Sequence, residues 1–332
     1  MEFRKLGLSD LEISVIAFGA WAIGGWLWGG ADKKEAIEAI ETAIDHGMTS
    51  IDTAPIYGFG RSEELIGIAI RGKRHRVQIL TKFGMLWDEK KGTFFFKSKS
   101  NEGKEVDIYK YSSKDRVIQD CEKSLKRLGT DYIDLFQIHW PDETTSVSET
   151  MEALRILLQQ GKIRAAGVCN YSQALLKNAY ASLPLASEQV PYSMVNRGIE
   201  NEIIPYCMEN NIGILAYSPL QRGLLTGKMN AKYSFNEGDS RPTTLFYKEP
   251  NLSEILSFVE KLKPVALECG LSVSQLVLSW TIQQKGITCA LAGARNRNQV
   301  LDNVKAGSIM LSTETLTNIN DLISKIKIVT NE

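Results

Sequence analysis

The feature that most constrains the fold is an alternation of short apolar runs with amphipathic segments, repeated eight times along 332 residues. Each apolar run has the length of a buried strand, and the segments between them have helical periodicity. The predicted strands are Val15 to Ala20, Thr49 to Thr53, Val77 to Lys82, Tyr132 to Ile138, Ile163 to Val168, Leu185 to Val190, Gly213 to Tyr217, and Thr288 to Ala292. Such alternation favours parallel strands joined by right-handed crossovers. No linker-like stretch divides the chain, so we predict one domain, residues 1–332, folded as an α/β (β/α)8 TIM barrel.

The glycines after the first predicted strand argue against the main alternative fold. An open doubly wound sheet usually carries a G-x-G-x-x-G fingerprint directly after its first strand. Here Gly24-Gly25 and Gly29-Gly30 follow that strand without the fingerprint spacing. We therefore interpret them as a flexible loop and keep the barrel.

The ends of several elements can also be predicted. Residues 1–14 are expected to form a β-hairpin around Gly7 that closes the bottom of the barrel. Asp32 and Glu35 have capping-box spacing, as do Ser272 and Gln275, so each pair predicts a helix start. Pro264 interrupts a helical pattern and predicts a kink or a break.

Composition limits the classes of partner. The 39 Lys and Arg residues balance 39 Asp and Glu residues, so no net field attracts nucleic acid or an anionic membrane. The N-terminus lacks the pattern of a secretory signal, and no apolar run is long enough to span a membrane. We therefore expect a cytoplasmic protein with no nucleic-acid or membrane partner. The five cysteines are scattered, without a metal or redox pair, which favours reduced and mostly buried thiols.

Two connections are too long for simple turns, residues 84–112 and residues 221–252. Long barrel loops without regular structure are usually functional or disordered. We expect both at the C-terminal mouth. In the first, Phe94, Phe95 and Phe96 precede a polar run, which predicts an apolar anchor with a mobile tip beside the substrate site; packing of these rings on neighbouring helices is the alternative.

Polar residues follow the predicted strands at the end where barrel enzymes place their catalytic groups. Asp52, Tyr57, Lys82 and His139 lie at or just after strands two to four. Further polar residues occupy the same place after strands five to eight, namely Asn170, Gln189, Tyr217 with Ser218, and Arg295. Each residue alone has a structural reading, such as a turn cap or a solvated charge. The fold predicts that they converge.

Several ordered motifs then resemble the aldo-keto reductase family. Residues 47–58 (GMTSIDTAPIYG) with 62–67 (SEELIG) look like its first signature, and residues 124–141 (SLKRLGTDYIDLFQIHWP) look like its second. The similarity continues through residues 167–170 (GVCN), 217–220 (YSPL) and 293–295 (GAR). It spans nearly the whole chain and implies the barrel fold, a nicotinamide cofactor and a small-molecule carbonyl substrate.

Matched position by position, the family tetrad falls on Asp52, Tyr57, Lys82 and His139. A carbonyl that accepts a hydride needs a proton and stabilisation of its oxygen. The resemblance makes Tyr57 the acid. We expect the Lys82 ammonium to bring the tyrosine pKa closer to working pH, Asp52 to hold Lys82, and His139 to donate a hydrogen bond to the substrate oxygen.

The resemblance also implies an extended NADPH/NADP site across the barrel mouth. Asn170 and Gln189 would bind the carboxamide and Tyr217 would stack on the nicotinamide. The backbone from Ser218 to Gly223 would follow the pyrophosphate. The full set of implied cofactor residues is Trp21, Asp52, Cys169, Asn170, Gln189, Tyr217, Ser218, Pro219, Leu220, Arg222, Gly223, Lys228, Gly293, Ala294, Arg295, Gln299, Asp302 and Asn303. Trp21 and Trp140 adjoin the strand ends, so we predict a substrate pocket of Trp21, Tyr57 and Trp140.

Many family members have a Lys-Ser pair after strand eight, whereas this chain has Ala-Gly-Ala-Arg-Asn-Arg at residues 292–297. The sequence is more similar to the branch of bacterial stress-related NADPH-dependent reductases and voltage-gated potassium channel β subunits. Two alternatives to a reductase stay open: a low-turnover NADPH-binding regulatory module, and a dehydrogenase of polyols or cyclitols. His139 favours an enzyme, because channel subunits typically have Asn there. The sequence does not indicate an oligomeric state.

Overall fold

Eight parallel strands close into a barrel in the computed structural model, which describes residues 1–28, 30–230 and 233–329. In barrel order the strands are β3 Ile16–Gly19, β4 Ser50–Asp52, β5 Gln78–Phe83, β9 Ile133–Ile138, β10 Ile163–Cys169, β11 Ser187–Pro191, β12 Gly213–Tyr217 and β13 Ile287–Gly293. The barrel closes where β13 pairs with β3, Ala290 aligning with Ile16. The predicted TIM barrel and all eight strand positions are confirmed.

The helices lie outside the barrel: α1 Lys33–Asp45, α2 Arg61–Ala69, α3 Lys114–Leu128, α4 Val147–Gln159, α5 Gln173–Ser182, α6 Ile203–Glu209, α7 Asn251–Glu268, α8 Val273–Ile282, α9 Arg297–Ala306 and α10 Thr313–Ile323. Asp32 caps α1, and Ser272 and Gln275 form the predicted capping box of α8. Helix α7 runs through Pro264 without a break. No single helix among the described residues is long and apolar enough to cross a membrane.

The N-terminal hairpin consists of β1 Phe3–Lys5 and β2 Glu12–Ser14, as predicted. Its apolar residues Leu6, Leu11 and Ile13 are buried against side chains that fill the lower barrel, including Leu80 and Leu215. Burying these side chains closes one end of the barrel with a continuous apolar core. The other end of the barrel, where β4 ends at Asp52 and β5 ends just after Lys82, is the mouth.

The segment 84–112 is regular, so its prediction as an irregular loop was wrong, whereas the mobility of its tip stays a prediction. It forms an antiparallel sheet of β6 Met85–Leu86, β7 Thr93–Lys99 and β8 Glu105–Lys110, in the order β6-β8-β7. Gly103, with φ +78°, lies in the turn between β7 and β8. The physical reason is that Lys97, Ser98 and Lys99 alternate between exposed and half-buried positions with the two-residue period of a strand. This period outweighs the polar composition that favoured a loop.

Before α7 begins at Asn251, the described residues of the segment 221–252 form only short 3-10 turns, at Gln221–Thr226, Arg241–Thr243 and Leu245–Tyr247. It crosses the loop that follows β3, where the Ser240 backbone N–H donates to the Leu27 carbonyl at 3.1 Å. Gly25 and Gly30 in that loop have positive φ. Two predicted loop positions lie outside the described residues: Gly29 in the glycine loop after β3, and residues 231–232 in the segment 221–252.

Candidate active site

A buried lysine joins two of the predicted catalytic residues at the barrel mouth. Asp52 ends β4, and Lys82 is the next to last residue of β5. The Lys82 Nζ donates to Asp52 Oδ1 at 2.8 Å, to Asp52 Oδ2 at 2.9 Å and to the Thr53 carbonyl at 2.9 Å. The Lys82 side chain is 0% exposed, so these acceptors compensate a fully desolvated ammonium.

Tyr57 and His139 complete the predicted tetrad. The Lys82 Nζ lies 3.4 Å from the Tyr57 hydroxyl, and the rings of Tyr57 and His139 meet edge to face with centroids 5.7 Å apart. Both rings are only partly buried, so they face the open mouth above the Lys82 ion pair. The structure thus brings together all four residues that the sequence singled out.

Close backbone contact positions Tyr57. A Cβ atom at Gly24 would lie 2.7 Å from the Tyr57 carbonyl oxygen, and one at Gly58 would lie 2.3 Å from the Gly24 carbonyl oxygen. Only glycine allows such an approach. The glycines after β3 therefore seat the Tyr57 loop.

Burial outweighs Lys82 in its effect on Tyr57. Burial is the largest cause of a Tyr57 pKa of about 12, while the Lys82 charge acts in the opposite direction. The expected lowering of the tyrosine pKa by Lys82 is present, but burial outweighs it, because desolvation disfavours a phenolate more than one ammonium favours it. Tyr57 holds its proton at neutral pH.

The remaining protonation states follow from the same burial. Burial and then the Lys82 charge hold the pKa of His139 well below its usual value, so its imidazole is neutral. Burial lowers the pKa of Lys82, but Asp52, Tyr57 and Cys169 together raise it by more, and the ammonium persists. Burial raises the pKa of Asp52 against the influence of Lys82. The pair is ionised because hydrogen bonds stabilise both charges: Lys82 Nζ donates to both Asp52 oxygens and to the Thr53 carbonyl, and Gln189 Nε2 donates to Asp52 Oδ2.

Asn170, Gln189 and Tyr217 lie next to the tetrad. Asn170 has φ +61°, donates from Nδ2 to the His139 carbonyl at 3.0 Å, and accepts from the Tyr217 hydroxyl at 2.9 Å. Gln189 Nε2 donates to Asp52 Oδ2 at 2.8 Å, a contact that sequence reasoning missed. Cys169 is buried beside Lys82.

The segment 218–223, which holds Pro219, Leu220 and Gly223, has an unusual backbone. Three of its non-glycine residues, Ser218, Gln221 and Arg222, have φ of +56°, +46° and +53°. Such conformations cost free energy and cluster at ligand sites. The Lys228 side chain beyond it is exposed.

The start of α9 borders a cleft of about 410 Å3, lined by Gly30, Ala31, Asp32, Glu35, Asn236, Arg295 and Asn296. Gln299 Oε1 accepts from the Arg295 backbone N–H at 2.8 Å, and Asn303 Nδ2 donates to the Gly293 carbonyl at 3.3 Å. Ala294 is buried between them. Asp302 instead accepts from Ser272 and Gln275, at the capping box of α8. These contacts give Asp302 a structural role.

Aromatic rings line the mouth beside Tyr57. Trp21 stacks on Tyr57 with centroids 5.9 Å apart, and Trp140 contacts Phe95 of β7 at 5.3 Å. The predicted pocket residues Trp21, Tyr57 and Trp140 thus share one cluster with the inserted sheet. The aromatic run beginning at Phe94 was the sequence signal for this arrangement.

Comparison with known proteins agrees with this arrangement. The model of the Aldo/keto reductase family matches residues 15–324. Aldo-keto reductase YhdN from Bacillus subtilis (strain 168) is 40% identical over 97% of this chain and 94% of that protein. The NADH-specific methylglyoxal reductase of Escherichia coli (strain K12) is 34% identical, over 97% of this chain and 98% of that protein.

The matches extend to the channel-subunit members of the predicted branch and to solved structures. A protein named "Probable voltage-gated potassium channel subunit beta" from Arabidopsis thaliana is 31% identical, over 93% of this chain and 92% of that protein. The structure of glycerol dehydrogenase AKR11B4 from Gluconobacter oxydans has a TM-score of 0.87 and 35% identity, covering 99% of this chain and 97% of that one. Together with the barrel and the tetrad geometry, these matches show that the chain belongs to the aldo/keto reductase family of nicotinamide-dependent oxidoreductases.

Proposed function

We propose that this protein reduces an aldehyde or ketone to the alcohol with NADPH, and that Tyr57 is the general acid. The observation that carries the proposal is the buried Lys82 ammonium, which contacts both the Asp52 carboxylate and the Tyr57 hydroxyl at the open mouth. A proton donor beside a fixed positive charge suits a reaction that builds negative charge on oxygen.

Each tetrad residue has a separate task. Bound NADPH would supply the hydride to the carbonyl carbon. Tyr57 is protonated at neutral pH and gives its proton to the oxygen. Lys82 stabilises the phenolate that remains, and Asp52 keeps Lys82 charged and in place. Neutral His139 donates a ring N–H to the same oxygen.

The residues around the mouth fit an extended dinucleotide. Asn170 lies beside the tetrad, and Gln189 donates its amide to Asp52, which leaves its carbonyl oxygen for a carboxamide N–H. The left-handed backbone at Ser218 and Arg222 fits the proposed path of the pyrophosphate. At the far end, the N-terminus of α9 favours negative charge.

Arg295 supports NADPH over NADH. Its guanidinium offers a planar donor fork suited to a phosphate and lines the cleft at the start of α9. Asp32 and Glu35 line the same cleft and oppose an added phosphate, and one relative is described as NADH-specific. We favour NADPH because Asp32 already caps α1 with its carboxylate.

The test measures turnover in both directions with both cofactors. NADPH oxidation by a panel of small aldehydes, dicarbonyls and sugars should exceed the rate without substrate. NADP+ reduction by polyols is the comparison, because the similarity to a glycerol dehydrogenase favours a dehydrogenase as the second candidate. Tight cofactor binding without sustained turnover in either direction would contradict both and favour a regulatory module.

A further inference from the structure

The Arg222 guanidinium lies at the barrel mouth, where Asp239 influences its charge but forms its ion pair with Arg241. Its guanidinium carbon lies 4.7 Å from the centre of the Trp21 ring, and Trp21 in turn stacks on Tyr57. Toward the residues that the structure describes, the Arg222 side chain donates one hydrogen bond, to Ser240 Oγ at 3.5 Å, which is long. Arg222 makes no ion pair with a carboxylate in the part of the chain that the structure describes.

The neighbouring Arg241 shows the usual solution. Arg241 is buried whereas Arg222 is half-buried; Arg241 also stacks on a tryptophan, Trp28, but its guanidinium pairs with Asp239 at 2.6 Å. A desolvated guanidinium without such a partner is costly. Arg222 therefore lacks an anion that its neighbour has.

Two indole donors, one beside Arg222 and one beside Arg241, also lack acceptors. The Nε1 atoms of Trp21 and Trp28 are buried and have no hydrogen-bond partner among the described residues. Their rings meet edge to face with centroids 5.6 Å apart. Buried donors are normally paired, so donors gathered without acceptors indicate a missing acceptor group. A carboxylate offers only acceptors and matches a guanidinium fork.

The backbone holds Arg222 in this position. Its φ of +53° is unfavourable for a non-glycine residue, and its carbonyl accepts from the Tyr247 hydroxyl at 3.0 Å and from Arg241 Nη1 at 3.4 Å. Strain that neighbouring groups maintain often marks a functional position. The backbone of Arg222 belongs to the proposed pyrophosphate segment, whereas its side chain is turned toward Trp21 and the reacting end.

We propose that Arg222, assisted by the indole N–H of Trp21, binds a carboxylate on the substrate, so that the preferred substrates are aldehydes or ketones that carry an acid group. This inference rests on the proposed reductase function and adds the substrate class. A substrate carboxylate and a cofactor phosphate both present anionic oxygens to a guanidinium. The cofactor phosphate is therefore the competing ligand for Arg222.

The test compares matched substrates in the full-length holoenzyme. 4-Carboxybenzaldehyde and 3-carboxybenzaldehyde are each paired with their methyl esters, which keep the shape of the reacting group and remove the charge. In the parent, kcat/KM should favour at least one acid over its ester. Arg222→Met keeps an apolar contact on Trp21 and should lower the acid-to-ester ratio about tenfold or more. Arg222→Lys should retain part of the ratio.

Arg197→Met is the matched control, because Arg197 stacks on a different tryptophan, Trp280, and its loss changes net charge equally. Its acid-to-ester ratio should equal that of the parent. An unchanged ratio in Arg222→Met would overturn the proposal. A second outcome would also overturn it: Arg222→Met raises the NADPH Kd, and turnover of acid and ester falls equally as a result. That outcome would assign the guanidinium to a cofactor phosphate.

A binding measurement separates this inference from the reductase function. Calorimetry on the NADP+ complex compares 4-(hydroxymethyl)benzoate with its methyl ester. If no aldehyde is turned over, the reductase proposal fails. Tighter binding of the acid that depends on Arg222 would still support a carboxylate site, and equal binding of acid and ester would exclude it.

Discussion

At the scale of single residues, burial moves the protonation of the mouth residues in directions that suit an acid. Tyr57 keeps its proton because its pKa is raised to about 12 by burial, whereas burial and Lys82 keep His139 neutral. Both states therefore hold across the ordinary working pH range. Lys82 matters most after proton transfer, when the phenolate beside it needs its charge.

Replacing the tyrosine tests this assignment. Tyr57→Phe should lower kcat for carbonyl reduction about 10²- to 10⁴-fold, the usual contribution of general acid catalysis. The NADPH Kd should stay close to the parent value, because the hydroxyl contacts Lys82. Steady-state kinetics and a fluorescence titration measure the two effects. Tyr109→Phe in β8 serves as the control, and near-normal turnover by Tyr57→Phe would refute the role.

Arg295 makes a second prediction at this scale. Arg295→Glu reverses the charge in the cleft at α9 and should weaken NADPH binding about tenfold while affecting NADH less. Cofactor Kd values measured for both dinucleotides give the ratio. Lys305→Glu, an exposed change at the other end of α9, should leave the ratio unaltered. Equal affinity of the parent for NADPH and NADH would make Arg295 a surface charge.

Glu188 provides a pH-dependent prediction. Its carboxyl is buried, accepts from the Tyr171 N–H at 3.0 Å through Oε1, and has no partner at Oε2 among the described residues. Burial raises its pKa well above the usual value. A raised carboxyl pKa stabilises the fold fully below the unfolded pKa of about 4.3 and progressively less as pH rises toward the folded value.

Glu188→Gln keeps the acceptor and removes this titration. The Tm of the parent should therefore fall relative to that of Glu188→Gln as the pH rises from weakly acidic to weakly alkaline. Thermal unfolding of both proteins across that range gives the difference. The exposed Glu202→Gln should show a constant difference, and a constant difference for Glu188→Gln would argue against the buried neutral acid.

At the scale of elements, the inserted sheet completes the mouth. Trp26 stacks on Phe96 with centroids 6.1 Å apart and donates to Ser98 Oγ at 2.8 Å, which joins β7 to the loop after β3. The aromatic anchor was predictable from sequence, because three consecutive phenylalanines are conspicuous. The pairing of β7 with β8 was harder, since polar alternation on an exposed sheet resembles a loop.

The two faces of β7 allow a matched comparison. Phe95 contacts Trp140 in the mouth, whereas Phe94 is 49% exposed and packs on Tyr109. Phe95→Ala should change KM or the relative turnover of small and bulky aldehydes, because it opens space beside Trp140. Phe94→Ala should leave the kinetic profile near that of the parent. If both variants had the same kinetic profile, the inserted sheet would have no role in substrate selection.

At the scale of the whole molecule, the two ends of the barrel have different roles. The closed apolar end stabilises the fold, and the mouth at the opposite end holds the candidate catalytic residues. The strands and the tetrad were predictable because hydrophobic periodicity and strand ends are local features of the sequence. The contact from Gln189 to Asp52, the orientation of Arg222 and the capping role of Asp302 depend on side chains brought together from distant segments. Periodicity carries no information about such rotamers.

The apolar end of the barrel gives the test of this division. Leu6 in the hairpin is 0% exposed and packs at Gly213, where a Cβ atom would lie only 2.6 Å from Leu6 Cδ1. Leu6→Ala should lower the free energy of unfolding by about 2–5 kcal/mol, as expected for a buried leucine that leaves a cavity. Leu8→Ala, at a side chain 57% exposed, should change it little.

Because both positions lie at the end opposite the tetrad, kcat/KM of the folded enzyme should match the parent in both variants. Denaturant unfolding and steady-state kinetics at a temperature well below the Tm measure the two quantities. A Leu6→Ala enzyme that unfolds like the parent, or that loses turnover while fully folded, would show that the hairpin does not act as an apolar plug separate from the site.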